Sequence, residues 1–318
     1  MLLLNKPIDW HKIKTFMRIT VAIAVAATAL LSCSGGVSKV SEGATTSAEA
    51  LTSLAVPSVV YSAPEGVTPW YEADTVIAHA LGNIDGRSET NSAEAFAATY
   101  AKGQRVFETD LVLTSDGHLV ARHDFADDSY YTLEQEKPEN PIMDLKTFKS
   151  TPIMGIYTPV TIEDIAGWMA EYSDMWIVTD TKSSDAETVK AQFERLCEAL
   201  GSDSRLDRVI VQLYNTDMYD VVNSIYPFKN YIFTVYQLAE RDFNQIGSFC
   251  AENGIAVVTM PSSTADASVT ALLHSFGLKV FVHTVNRITT MKTMLEYGLC
   301  DGFYSDYVIE PELKRYLG

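Results

Sequence analysis

The sequence predicts an eight-stranded parallel barrel of the TIM (β/α)8 type, on three observations. Apolar, β-rich runs alternate with helical stretches through most of the chain. The stretch in which they alternate, residues 70–318, is about 250 residues long, the usual size of such a barrel. Ionisable residues gather at the ends of the runs, where such barrels keep their chemistry. A doubly wound open sheet is the alternative, and the lack of a Gly-rich loop after the first run counts against it.

At the N-terminus, Met17-Arg18 leads into an apolar run from Ile19 to Leu31, followed by Ser32-Cys33-Ser34-Gly35-Gly36. A short basic start, a short apolar core and small residues before a processing point make a secretory signal. The run is shorter than the ~20 apolar residues that a membrane span needs. Leu30-Leu31-Ser32-Cys33 resembles a bacterial lipobox, whose Cys becomes the lipid-bearing terminus; an ordinary secretory signal with an incidental Cys is the alternative. Residues 1–33 are thus expected to be a signal peptide with lipobox. A lipid anchor at Cys33 would then hold the protein in the bacterial cell envelope, outside the cytoplasm. Residues 34–69, rich in Ser, Thr, Ala, Gly and Pro, have the composition of a flexible tether.

The chain carries 24 basic and 41 acidic residues, a net charge of -17. Removing residues 1–32 takes away Lys6, Lys12, Lys14, Arg18 and Asp9, which leaves 20 basic against 40 acidic residues. Such a surface repels nucleic acid and anionic membrane alike. An anionic substrate would need positive charge inside the site, which a divalent cation supplies. Cys197, Cys250 and Cys300 match no zinc spacing and are expected as buried free thiols.

The expected strands are Val76–His79, Val106–Leu113, Trp176–Thr181, Val209–Leu213, Tyr231–Val235, Ala256–Met260, Lys279–Thr284 and Gly302–Ser305. The expected helices are Ala93–Ala101, Ile162–Tyr172, Ala186–Leu200, Met218–Ile225, Arg241–Asn253, Ala265–Phe276 and Ile288–Tyr297. Residues 125–159, polar and aromatic, read as an irregular insertion: a candidate lid or specificity loop, with a plain surface excursion as the alternative.

The most informative stretch is Val106 to Asp124. Glu108 and Asp110 are two apart on a strand, so both face one place, as ligands of a hard cation do. Ser115-Asp116-Gly117 then turns the chain into a second apolar run ending in His123-Asp124. Further candidates stand at other strand ends: His79, Asp180 with Lys182, and the terminal Asp301…Asp306 segment. Each alone has an ordinary structural reading, such as a surface ion pair. Their joint placement on one barrel rim points to metal-assisted acid/base chemistry.

These residues together resemble the glycerophosphodiester phosphodiesterase family, within the group of phosphatidylinositol-phospholipase-C-like barrels. The resemblance runs over nearly all of 70–318. It rests on His79, on Asn91-Ser92, on Glu108-Thr109-Asp110 followed by Asp116-Gly117 and His123-Asp124, on Asp180-Thr181-Lys182, on His283-Thr284-Val285-Asn286, and on Asp301-Gly302 with Asp306. Four positions depart from the family pattern. Ala80 stands for Arg, Thr90 for Glu with Glu89 one place early, Asp180 for the commoner Glu, and His283 for Trp.

The resemblance implies one divalent cation, Ca²⁺ or Mg²⁺, on Glu108, Asp110 and Asp180. It implies Lys182 on the phosphate and His79 with His123 as the acid/base pair. Arg87 is the candidate to reach in from its loop in place of the missing Arg, a surface position being the alternative. His283 is a candidate substrate contact, with rim packing as the alternative. The expected activity is hydrolysis of a glycerophosphodiester or a related alcohol phosphodiester. Two alternatives remain: a lyase that stops at a cyclic phosphate, and a non-catalytic phosphate- or glycan-binding lipoprotein.

Overall fold

The computed structural model describes residues 68–318. The expected signal peptide and lipobox, and all but the last two residues of the expected tether, lie outside the described residues. A short helix α1 (Trp70–Ala73) precedes the barrel. Eight parallel strands follow: β1 (Val76–Ala78), β2 (Val106–Leu113), β5 (Trp176–Asp180), β6 (Val209–Leu213), β7 (Asn230–Thr234), β8 (Val257–Pro261), β9 (Lys279–His283) and β10 (Gly302–Ser305). Each pairs with its neighbour in chain order, and β1 closes the ring on both β10 and β2. The remaining two strands, β3 (Leu119–Ala121) and β4 (Val160–Thr161), extend β2 as an antiparallel arm. β3 is the return of the expected turn; β4 was not expected, being only two residues long.

Seven helices follow barrel strands on the outside: α2 (Ala93–Ala101), α5 (Ile162–Glu171), α6 (Ala186–Leu200), α8 (Thr216–Ile225), α9 (Phe243–Glu252), α10 (Ala267–Ser275) and α11 (Ile288–Glu296). Their starts are written in the sequence. Ser92, Thr161, Asp185, Asn215, Asp242 and Asp266 each stand at an N-cap and accept a backbone N–H from the first turn. The shorter α3 (Asp127–Thr132), α4 (Leu145–Ser150) and α7 (Asp203–Leu206) and the closing α12 (Glu310–Leu317) were not expected. No helix among the described residues is long and apolar enough to cross a membrane.

Alternation along the strands makes two cores. Outward residues pack under the helices. Inward, each barrel strand gives one side chain to a single apolar layer: Ile77, Val106, Val178, Ile210, Ile232, Val257, Phe281 and Tyr304. Trp70 packs edge-on to Phe281 within this cluster, 5.8 Å between ring centroids. Each such side chain contributes roughly 1.5–3 kcal/mol on burial. The next inward residue along several strands is polar, and there the site begins. Cys250 and Cys300 are buried free thiols, as expected, and Cys197 is half-buried and also free.

The insertion carries packing of its own. Tyr130, Met143 and Phe148 bury against Val120 of β3, and Leu133, Ile153 and Tyr157 form a second small cluster. Arg122 is buried between the Phe125 and Tyr130 rings and donates to Gln135 and to the Asp124 carbonyl.

Candidate active site

The acids of β2 and β5 meet because the two strands pair in register, Asp110 opposite Asp180. Glu108, Asp110 and Asp180 are all buried, and one carboxylate oxygen from each lies within 4.8 Å of the others. Asn91 aligns Asp110: its side-chain amide donates to Oδ2 (2.8 Å), and its carbonyl accepts from the Asp110 N–H (3.2 Å). The Ala80 N–H donates to Glu108 Oε2 (2.7 Å), and the Tyr214 hydroxyl donates to Asp180. Lys182 Nζ stands 2.7 Å from Asp110 Oδ1 and 2.6 Å from Asp180 Oδ2. Lys182 has a left-handed backbone (φ 59°), a cost that a long side chain accepts only where its surroundings impose it.

Three acids around one ammonium leave an excess of buried negative charge. Burial, and then Asp110, push the Glu108 carboxyl up to about 8. Asp110 is held below the usual carboxylate range: burial would raise it, but Lys182, His79 and His123 outweigh that. Burial would lower Lys182, yet the three acids raise it. Glu108 Oε1 is buried with no partner. An all-oxygen donor set carrying excess charge and an unpartnered oxygen fits a hard divalent cation.

His79 ends β1 in a tight turn through Ala80 and Leu81, both with positive φ, to Gly82 at φ 95°. A Cβ on Gly82 would meet Thr99 at 2.3 Å, so only glycine fits there. His79 Nδ1 lies 2.7 Å from Asp306 Oδ1. Asp306 is held ionised: its burial is outweighed by that bond and by the Asn286 amide, which donates at 2.6 Å. An ionised carboxylate only accepts, so Nδ1 carries the hydrogen and Nε2 is left for the site. Nε2 stands 3.8 Å from Glu108 Oε2. Burial would lower the imidazole, but Glu108, Asp306 and Asp110 raise it to about 10.

His123 repeats this pairing at the surface. Its Nδ1 lies 2.7 Å from Asp124 Oδ2, and about half of each side chain is exposed. Asp124 in turn accepts from the Ala126 N–H (2.8 Å) and the Ser129 hydroxyl (2.5 Å) at the start of the insertion. Glu89 lines the same cleft as His123, and its carboxylate lies within 4.8 Å of ligand atoms of His79 and Asp306. The loop that carries it has positive φ at Glu89 (60°) and again at Asn91 (48°).

His283 lies at the end of β9, edge-on to Tyr236 and Tyr304, and lines the pocket with His79, Glu108, Asp180, Gln212 and Thr234. Burial, then His79, hold its imidazole down at about 4. Arg87 is not brought to the cluster: it is half exposed and paired with Glu134 of the insertion at 3.0 Å. Asp85 makes the turn before Gly86 and accepts from the Tyr157 hydroxyl. Sequence reasoning quoted Asp306 and Asn91 only as motif letters and missed their work. It missed Tyr214, Tyr236, Gln212 and Thr234 altogether. The period-two pattern from Ile210 to Gln212 and from Ile232 to Thr234 was the available signal.

A family model described as the glycerophosphoryl diester phosphodiesterase family matches residues 83–310. Among curated proteins, the uncharacterized protein YqiK of Bacillus subtilis (strain 168) is 25% identical over 228 residues, 70% of this chain and 91% of that one. Among solved structures, an Oleispira antarctica phosphodiesterase in complex with the product sn-glycerol-3-phosphate superposes with a TM-score of 0.62 at 16% identity, over 76% of this chain and 96% of that one. A Parabacteroides distasonis glycerophosphodiester phosphodiesterase gives 0.59 at 16%, over 77% and 97%. A Thermotoga maritima glycerophosphodiester phosphodiesterase gives 0.55 at 18%, over 77% and 98%. At such identities the solved structures speak for the barrel alone, whereas the family model spans well over half the chain: it belongs to the glycerophosphoryl diester phosphodiesterase family, whose members are phosphoric diester hydrolases.

Proposed function

We propose that this protein hydrolyses glycerophosphodiesters or a closely related alcohol phosphodiester with one bound Ca²⁺ or Mg²⁺. The observation that carries the proposal is the buried trio Glu108, Asp110 and Asp180, with its unpartnered Glu108 Oε1, directly beside the ordered imidazole of His79. The trio would hold the ion, which when bound neutralises charge gathering on the phosphate oxygens. Lys182 supplies a second positive charge to the same oxygens. His79 and His123 each keep Nδ1 on an aspartate, which leaves Nε2 for the reaction; in His79 that nitrogen stands 3.8 Å from Glu108 Oε2. One takes the proton of the attacking hydroxyl or water, and the other gives a proton to the leaving alkoxide. An alkoxide leaves poorly at neutral pH, so this transfer is worth typically 10²–10⁴-fold.

We extend the proposal to location: a lipid on Cys33 holds the domain outside the cytoplasm, in the cell envelope. It rests on the sequence around Leu30-Leu31-Ser32-Cys33. Mass spectrometry of the membrane fraction should find an acylated Cys33, and Cys33→Ala should release the protein.

For the chemistry, the purified protein is assayed on glycerophosphocholine and bis(p-nitrophenyl) phosphate with either ion. Turnover is expected to need the ion and to stop with chelator. Turnover that ignores the chelator, or that survives His123→Ala, overturns the mechanism. A cyclic phosphate as the end product would favour the lyase instead.

A further inference from the structure

Arg122 follows directly on β3, and period two puts its side chain on the same face as Val120, under the insertion. Only 2% of it is exposed. No carboxylate among the described residues forms an ion pair with it, and its Nη2 is buried without a partner. Burial pulls the guanidinium below its ordinary basicity, with Tyr130 and Asp124 offsetting part of that. A buried, unpaired cation is destabilising, and an apolar chain would fill the space between the Phe125 and Tyr130 rings with less loss. What an apolar chain lacks is donors. Arg122 Nε donates to the Asp124 carbonyl at 2.5 Å, and Nη1 donates to Gln135 Oε1 at 2.6 Å. Gln135 passes the link on, its amide donating to the carbonyls of Thr151 (3.0 Å) and Pro152 (3.3 Å). The Arg122 backbone N–H donates to the Asp110 carbonyl at 3.0 Å.

We infer that Arg122 is a positioning residue for His123, clasping the backbone on both sides of that imidazole and tying it to both limbs of the insertion. The Nε bond to Asp124 closes a three-residue ring with His123 at its middle. One end of the ring is held to β2 through Asp110, and the other carries the carboxylate that lies 2.7 Å from His123 Nδ1. With both ends held, the imidazole keeps one direction although about half of it is exposed. Through Gln135, the outgoing limb at 125–135 and the returning limb at 151–152 join the same ring. The planar guanidinium presents its donors in fixed directions, so it holds the two oxygens at once; a lysine ammonium carries no such fork. The part played by Ser129 is different, since it holds the Asp124 carboxylate while Arg122 holds the Asp124 backbone. The inference rests on the phosphodiesterase reading, which gives His123 its share of the proton transfer.

The test is a double-mutant cycle on glycerophosphocholine with the divalent ion present, built from Arg122→Met, Arg122→Lys and His123→Ala. Arg122→Met should lower kcat by about 10–100-fold and leave KM within about twofold, with Arg122→Lys recovering part of the loss. In the His123→Ala background, Arg122→Met should cost less than about twofold further, because the residue it positions is gone. Losses that simply multiply, or a loss confined to KM, overturn the inference. So does disappearance of the ion-induced rise in melting temperature, which would make Arg122 a support of the acidic trio instead. Should Arg122→Met not fold, Gln135→Met carries the same test: kcat should fall by about 3–10-fold, and only where His123 is present. An unchanged kcat in Gln135→Met then overturns the clasp. Nitrogen NMR of histidine-labelled protein, at a pH where the imidazole is neutral, reads the position without turnover. In wild type the His123 hydrogen should be fixed on Nδ1, and Arg122→Met should let it exchange between the two nitrogens. A wild type that turns over no phosphodiester but shows this change sinks the phosphodiesterase reading and keeps the clasp. A His123 spectrum indifferent to Arg122 sinks the clasp, whatever the activity.

Discussion

His79 and His123 each set Nδ1 2.7 Å from an aspartate, yet one side chain is 19% exposed and the other 51%. His79 leaves a barrel strand, and its aspartate, Asp306, comes from the strand end 227 residues later, with Asn286 behind it. His123 takes the aspartate next in sequence, and that aspartate leans on Ser129 in the insertion. The first pair is fixed by closure of the barrel, so it exists only when the whole ring has formed. The second is fixed locally, by a turn that can change without disturbing the ring. A barrel of this kind can thus vary one of the two proposed acid/base partners by changing an insertion and keep the other constant.

The largest effect is expected at the buried acidic trio, which belongs to neither pair. Asp180→Asn removes one of three carboxylates and takes an ion pair from Lys182, while its amide oxygen can still accept from the Tyr214 hydroxyl. Activity should fall by about 10³-fold or more, and the ion should no longer stabilise the fold. In the native protein, an ion at a hundred times its dissociation constant adds about 2.7 kcal/mol, visible as a raised melting temperature. A variant that keeps this rise would show that the ion binds elsewhere.

Next come the imidazoles themselves. His79→Ala and His123→Ala should each cost about 10²–10⁴-fold in kcat/KM. They should part company in stability. His79→Ala strips a partner from Asp306 and a neighbouring positive charge from Glu108, both buried, and should destabilise the ion-free protein by about 1–3 kcal/mol in denaturant melts. His123→Ala exposes little and should stay within about 0.5 kcal/mol. Equal losses of stability would break the contrast drawn above.

Ser129→Ala probes the insertion's share. The serine hydroxyl holds Asp124, and through it the plane of His123. A fall of roughly tenfold in kcat with little change in KM is expected, with Ser129→Thr recovering part of it. A change in KM alone would make the insertion a substrate contact and not a support.

Much of this arrangement was legible in the chain. The eight strands showed as apolar runs, and the period-two rule placed Glu108 and Asp110 on one face before any coordinates. Asp180 and Lys182 stood out as a strand-end pair, and the register of β2 on β5 brings the three acids together. What stayed hidden was of two kinds. Contacts between distant strands, such as Asp306 with His79 or Tyr214 with Asp180, need the ring to close before they exist. Short elements such as β4 and α3 carry too few residues for a period to show; pairing with β3 sets β4, and α3 packs its Tyr130 against Arg122. Glu89 was legible as a displaced Glu beside Thr90, but its approach to His79 and Asp306 was not.

The smallest effect is expected at Arg87, and it bears on the missing Arg at position 80. Ala80 is fully buried, and its N–H, not its side chain, serves Glu108. Arg87 was the nearby cation able in principle to take over phosphate binding. Its guanidinium instead pairs with Glu134 of the insertion, both side chains being half exposed, and such pairs contribute about 0–1 kcal/mol. Arg87→Ala should therefore change kcat/KM less than about twofold and leave the melting temperature nearly unchanged. Among the described residues Lys182 pairs with two acids of the trio and His79 stands 3.8 Å from the third, so on the proposed reading phosphate charge would fall to Lys182 and the ion. A tenfold loss in Arg87→Ala, confined to KM, would mean that the Glu134 pair opens when substrate arrives and that the insertion closes over the site as it does so.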